Sequence, residues 1–375
     1  MKIATFNIQN LFHRDRNLLQ KPSSKNAKDW FDELDSLINI KKTSVNNLQR
    51  INELSFLLGF EKTYNTPFAV MRRKAGDLYL KGRGHVNELR ASATTHWNGW
   101  TVLQNKPLDP EAVKNKARVT AEIDADILLL QEIEDRASLE EFNSSILPTF
   151  DCATYEQTLL LQGKDLKGLE MAVLLKNGYR LHSVKSHSFY YDSVKKPLLT
   201  QEFFEYRIET PSKETFYVLS IHLKIEDENK ETADAIRKEQ VGQIAMHYHE
   251  LLSRGKSKVI IAGTLNTVSY CDSLSPLLRK TDLKDVAKHQ SFNVDIDKGR
   301  DASYFRMGAY RIGVNIKQKD YLLFSPELFN VIKQTGLNRK AVWPSKKPIW
   351  SIYSSMNNKN QEASEHPAIW AEIDV

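Results

Sequence analysis

The chain has 375 residues, of which 41% are hydrophobic and 27% charged, with a formal net charge of +6. That is the composition of an ordinary soluble globular chain, and no apolar run approaches the ~18 residues of a membrane span. Two cysteines, Cys152 and Cys271, are too few and too far apart to make a disulfide framework or a zinc site of their own, so both read as structural thiols in a reducing compartment.

In chain order, residues 2–7 read as a strand that ends in the polar turn Asn7-Ile-Gln-Asn10. Met1-Lys2 leads straight into it, so no signal peptide is expected and cytoplasmic residence is the default. Residues 14–29 are charged and aperiodic, a loop. Leu48, Ile51, Leu54, Leu57 and Leu58 recur at helical spacing, which predicts a helix over 45–59. Strand-like segments follow near 66–72, 77–81 and 98–104. Between them Arg72, Arg73, Lys74, Lys81 and Arg83 face a single acid, Asp77. This basic insertion, about 66–95, reads either as a solvated hairpin or as a phosphate-tracking rim with Tyr79 placed for stacking.

Asp109-Pro-Glu opens a helix running to about Ile123, with an N-cap carboxylate, Pro at the first position and an acid in the first turn. A buried strand at 126–130 and a helix at 137–146 come next. Residues 171–175, 203–208 and 216–221 read as consecutive antiparallel strands. A long helix over 231–252 places Ile236, Val241, Ile244, Tyr248 and Leu251 on one face. Strand 258–262, helix 273–279 and strands at 320–324 and 368–374 complete a single α/β domain spanning 1–375.

Several of these strands deliver polar residues at one end: Thr5-Phe-Asn7, Leu129-Leu-Gln-Glu132, Ser220-Ile-His222, Gly263-Thr-Leu-Asn266, Asp320 and Ser364-Glu-His366. Taken singly each is a weak signal; their order is the strong one. With Phe6-Asn-Ile-Gln-Asn-Leu-Phe12, Trp97-Asn-Gly-Trp100, Glu132-Ile-Glu-Asp-Arg136, Lys167-Gly-Leu-Glu-Met-Ala172, Ser220-Ile-His-Leu-Lys224, Asp320-Tyr-Leu-Leu-Phe-Ser-Pro326 and Ala363-Ser-Glu-His-Pro-Ala-Ile-Trp370, the chain resembles the endonuclease/exonuclease/phosphatase superfamily over nearly its whole length.

The resemblance implies a DNase-I-like fold, a four-layer α/β/β/α sandwich, and Mg²⁺- or Mn²⁺-assisted hydrolysis of a phosphate ester. It places Glu132 on the metal, with Asn7 close by and Glu365 as a further acid, because hard ions favour oxygen ligands. His366 is expected to contact the scissile phosphate or help the leaving oxygen, and His222 to donate to the phosphate. Asn266 would position the attacking water, and Asp320 would orient a histidine or share in metal binding. Asn7, Lys167, Glu170 and Arg237 are assigned to substrate binding. The expected partner is a phosphorylated substrate, with DNA and RNA among the candidates; neither membrane nor protein partner is inferred.

The chain leaves the pattern at four polar positions. The family reads Gly-Asp-Phe-Asn where this chain has Gly263-Thr-Leu-Asn266, and a threonine hydroxyl cannot act as a base near neutral pH. Ser-Asp-His becomes Ser364-Glu-His366, Arg-Gly-Ile-Asp becomes Lys167-Gly-Leu-Glu170, and Asn-His becomes Ile221-His222. Two functional readings follow: a slowed or re-tuned phosphoesterase, with Glu170 or Glu365 taking over activation of the water, and a catalytically impaired pseudoenzyme that binds phosphorylated ligands or nucleic acid.

Overall fold

The computed structural model describes residues 1–11, 30, 33–34, 36–37, 40, 44–57, 69–75, 98–103, 109–133, 136–161, 170–190, 197–225, 229–293, 306–307, 313–314, 318–344 and 350–375. The loop expected at 14–29, the strand at 77–81 and Lys167 lie outside them, as does most of the basic insertion. The chain divides into two compact units, one of Met1–Leu11, Asp109–Lys164 and Leu169–Val375, the other of Phe12–Leu108 with Asp165–Gly168.

The larger unit contains a seven-stranded and a six-stranded sheet. The first begins with β1 (Lys2–Leu11), with β2 (Ala69–Ala75) and β3 (Asn98–Leu103) belonging to the smaller unit. It continues with β4 (Ile127–Ile133), β5 (Gln157–Leu161) and β6 (Glu170–Leu175). The second sheet takes β7 (Arg180–Tyr190), β8 (Pro197–Glu209), β9 (Thr215–His222), β10 (Val259–Thr264), β11 (Lys284–Asp285) and later β15. After β12 (Phe292–Asn293) and the small pair β13 (Arg306–Met307) and β14 (Gly313–Val314) come β15 (Asp320–Phe324), β16 (Ile332–Asn338) and β17 (Ala368–Ile373). The orders are β12-β16-β17-β1-β4-β6-β5 and β11-β15-β10-β9-β8-β7.

Burial explains the layering. Ile3, Leu129, Val173 and Ile369 of the first sheet pack against Tyr206, Val218, Ile260 and Leu322 of the second, forming the central core. Ala4, Phe6, Leu128 and Leu130 point the other way, and pack with Ala117, Val119 and Ile123 of the helix Pro110–Ile123. On the far side Leu219, Ile221, Ile261 and Leu323 meet Val241, Ile244 and Tyr248 of the helix Lys230–Ser253. Helix, sheet, sheet and helix are thus held by three apolar seams, the α/β/β/α sandwich the sequence resemblance implied. The helix at Pro110 starts as expected, the Asp109 carboxylate accepting from the Glu111 N–H at 2.9 Å.

Two readings change, and one strand is added. The strand at 171–175 is not the partner of 203–208: β6 lies between β4 and β5 in the first sheet, while β8 pairs with β7 and β9 in the second. β7, whose residues are mostly polar and exposed, lacked the apolar alternation that marks a strand. The helix expected at 137–146 is α-helical only over Arg136–Glu141 and continues as a wider turn over Phe142–Ile146. In the smaller unit, Val45–Leu57 is helical and β2 pairs antiparallel with β3. No helix among the described residues is long and apolar enough to cross a membrane.

Candidate active site

Strand alternation decides which polar side chains meet. Ile3 faces the central core while Ala4, Phe6 and Ile8 face the helical layer, so Asn7 falls on the inner face of the first sheet. In the second sheet Val218, Ala262 and Leu322 are inner residues, which puts His222, Thr264 and Asp320 on the inner face as well. Pairing then aligns them in one row: Thr264 lies opposite His222 on β9 and opposite Asp320 on β15.

Glu132 needs a different device. Leu128 and Leu130 point to the helical layer, so a regular strand would send Glu132 there too. Instead Glu132 takes φ 63° where the β4–β6 register shifts, a left-handed residue that re-aims its side chain. Gln9 does the same at the end of β1, with φ 51°. Gly263, at φ 138°, is required by close approach: a Cβ there would lie 1.9 Å from the Ile221 carbonyl oxygen.

The result is a continuous chain of contacts. Asn7 Nδ2 donates to Glu132 Oε1 at 2.9 Å and to Thr264 Oγ1 at 3.2 Å. Thr264 in turn donates to Asp320 Oδ1 at 2.7 Å. His366 Nδ1 lies 2.8 Å and 3.0 Å from the two Asp320 oxygens. At the other end His222 Nε2 stands 3.4 Å from Glu132 Oε1. That distance is short enough for charge attraction, though the nitrogen has no well-formed hydrogen bond. Ser364 closes the ring, donating to the Asn7 carbonyl at 2.7 Å and accepting from the His366 N–H at 3.1 Å.

Electrostatics set the charges. Burial works against ionisation of Glu132, but His222 and Asn7 outweigh it and hold the carboxyl down at about 2. Burial likewise opposes charge on His366, and the Asp320 carboxylate more than offsets it, lifting the imidazole above its ordinary value. At neutral pH the cluster therefore offers an ionised Glu132 and a His366 biased toward the imidazolium form.

The donor set fits a hard divalent ion held loosely. Glu132 is ionised, and His222 Nε2 stands 3.4 Å from its Oε1 without a well-formed hydrogen bond. Asn7 accepts the Gln9 N–H on its Oδ1 at 3.1 Å, so its amide nitrogen, not its oxygen, faces Glu132. In this geometry Asn7 orients the acid instead of offering a ligand oxygen. Ions of this class keep several waters and need only one or two carboxylates.

Of the other expected site residues, Asn266 (φ 57°) is buried beside the row, its Nδ2 donating to the Leu223 carbonyl at 2.9 Å. Glu170 is buried at the start of β6, opposite Ile133, which follows Glu132. Two residues sit elsewhere. Glu365 is half exposed and paired with Lys359 at 2.6 Å, which lowers its carboxyl below the usual range; its extra methylene reaches solvent, not the row. Arg237 is 1% exposed, with no surface to offer a substrate. Its guanidinium donates to the Lys224 carbonyl at 2.9 Å and to Asp234 at 2.6 Å, fastening the segment after His222.

Lys116 was missed. Its buried ammonium donates to the carbonyls of Ile8 (2.6 Å), Gln9 (3.3 Å) and Ala363, so one side chain ties the segment after Asn7 to the one before His366. Burial pulls it down to about 7, against the opposing fields of Glu362 and Glu132. The signal was present: Lys116 shares the buried helix face of Ala112, Val119 and Ile123.

No family model and no curated protein matches this chain. Solved structures do align with it. A mannosyl-6-phosphatase from Bacteroides thetaiotaomicron covers 71% of this chain and 91% of its own at 15% identity, with a TM-score of 0.48. An endonuclease/exonuclease/phosphatase from Bacteroides vulgatus covers 70% and 91% at 15% identity, TM-score 0.48. TDP2 from C. elegans covers 94% of both chains at 15% identity, TM-score 0.46.

Proposed function

We propose that this chain is a slow, divalent-metal-dependent phosphoesterase. The observation that carries the reading is the chain of contacts from His222 through Glu132, Asn7, Thr264 and Asp320 to His366, which joins a buried carboxylate to a second histidine along the strand ends of the two sheets. Glu132 would hold Mg²⁺ or Mn²⁺. The ion, when bound, supplies Lewis-acid polarisation of a phosphate oxygen and offsets developing charge.

The chain's own residues divide the remaining tasks. Asp320 engages Nδ1 of His366, which leaves Nε2 of that ring to donate to the phosphate or to protonate the leaving oxygen. His222 Nε2 supplies a second donor. Asn266, anchored through its amide nitrogen, has its side-chain oxygen for the attacking water. Among the described residues of the row no carboxylate is free to take that water's proton, which leaves Glu170, buried opposite Ile133, as the remaining candidate base. Thr264 spends its only proton on Asp320, Asp320 is occupied by Thr264 and His366, and Glu365 is turned to Lys359. Absence of a general base typically costs about 10²–10⁴ in rate.

That same observation favours a second reading, a protein that binds phosphorylated ligands through His222 and His366 without turning them over. A panel of a nitrophenyl phosphodiester, a nitrophenyl phosphomonoester and plasmid DNA, each with Mg²⁺, Mn²⁺ or chelator, separates the two. Slow turnover of one member that disappears with chelator is expected. No turnover together with retained, salt-sensitive binding would establish the binder.

A further inference from the structure

Glu205 of β8 carries a buried carboxylate on the outer face of the second sheet, the face opposite the row described above. Two imidazoles converge on it. His247, from the helix Lys230–Ser253, places Nε2 2.6 Å from Glu205 Oε2, and His187 of β7 places Nε2 3.6 Å from the same oxygen. The three ligand atoms lie within 4.8 Å of one another. We propose that His187, Glu205 and His247 form a Zn²⁺ site that joins the long helix to the β7–β8 edge of the sheet.

The surroundings are built for a ligand set. The His187 ring is stacked on Phe203, with centroids 4.7 Å apart and planes at 11°, which fixes its rotation. Its Nε2 is buried and lacks a hydrogen-bond partner. Glu250 Oε2 lies 3.5 Å from His247 Nδ1, the ring nitrogen that does not face Glu205. Lys185 Nζ takes the other carboxylate oxygen, Oε1, at 3.2 Å and leaves Oε2 to the imidazoles.

Without a cation the arrangement is unsatisfactory. The two imidazole rings lie with centroids 4.2 Å apart, and the buried His187 Nε2 has no partner within hydrogen-bond distance. A divalent ion accepts both lone pairs and the carboxylate together. Tetrahedral Zn²⁺, about 2.0–2.2 Å from each ligand, would open the His247–Glu205 contact to roughly 3.3 Å, a movement of under an ångström. Two imidazoles and one carboxylate favour Zn²⁺ over Mg²⁺, and three protein ligands leave a fourth position for water.

The test is equilibrium dialysis of the full chain, first stripped with chelator, against Zn²⁺ in excess Mg²⁺, followed by metal analysis. One Zn²⁺ per chain is expected for the parent and for Glu132→Gln, with affinity more than about tenfold weaker in His187→Ala and His247→Ala. Circular dichroism checks that the variants are folded. Independently of any variant, Co²⁺ added to the parent should give visible d–d absorption of nitrogen-ligated tetrahedral character that Zn²⁺ bleaches. Zn²⁺ retained by both histidine variants, or a parent that binds no Zn²⁺ and gives no Co²⁺ spectrum, overturns the proposal.

Discussion

The Thr264 hydroxyl donates to Asp320 Oδ1 at 2.7 Å, across a β10–β15 pair in which the two residues stand directly opposite. Since Thr264 Oγ1 itself accepts from Asn7 Nδ2, Thr264 is a fully buried connector between the two sheets and not a site for activating water. Removing the connector should therefore show first in stability. Thr264→Val keeps the shape but leaves the Asn7 amide and one Asp320 oxygen short of a partner, so a loss of about 1–3 kcal/mol is expected in urea unfolding. An unchanged midpoint would mean that the bridge contributes nothing.

Thr264→Asp is expected to behave differently. A second carboxylate pressed against Asp320 in a buried row costs stability at neutral pH, because two such groups resist ionising together. Mn²⁺ should restore that stability and bind more tightly than to the parent, as hard cations follow carboxylate count. Thermal melts with and without Mn²⁺ check this. Equal or weaker binding in the variant would show that carboxylate count does not limit the parent.

The metal assignment itself rests on Glu132. Calorimetric titration with Mn²⁺ should give weak binding to the parent and none to Glu132→Gln. Unchanged affinity in the variant would move the ligand elsewhere.

His366 provides a test in pH. Its folded-state value lies above the ordinary 6.5, so its contribution to stability is complete below 6.5 and is lost as pH rises through the folded value. The stability difference between the parent and His366→Asn should therefore be largest near pH 6 and shrink toward pH 9. Urea unfolding across that range checks it; a difference that grows with pH contradicts the sign.

Much of the site was legible in order and phase. Asn7, His222, Thr264 and Asp320 follow their apolar neighbours at even spacing, and that spacing alone puts them on one face. What alternation could not give was Glu132, which reaches the row only because the backbone turns left-handed there, a conformation decided by the surrounding contacts. Glu365 was misplaced for a similar reason. Sequence adjacency to His366 said nothing of direction, and Lys359 captures the side chain. Arg237, expected to bind substrate, is instead buried in the packing, which no single sequence position reveals. The connectivity of β6 required knowing which strands share a sheet, information that lies in long-range pairing.

Lys116 makes that packing measurable. Lys116→Met fills the space but withdraws the donor shared by the carbonyls of Ile8, Gln9 and Ala363. We expect a loss of about 1–3 kcal/mol in unfolding free energy and weaker Mn²⁺ binding, since both strand-end segments lose their common anchor. Full stability with unaltered Mn²⁺ affinity would remove Lys116 from the site.

The most direct measurement is the rate of phosphodiester hydrolysis with Mn²⁺ for the parent, Glu132→Gln and His366→Asn, side by side at neutral pH. We expect a slow parent rate that chelator removes, no rate above background in Glu132→Gln, and a drop of about 10²–10⁴ in His366→Asn for loss of the proton donor. A parent rate that survives chelation, or one that Glu132→Gln leaves intact, would contradict a metal-dependent hydrolase built on this row.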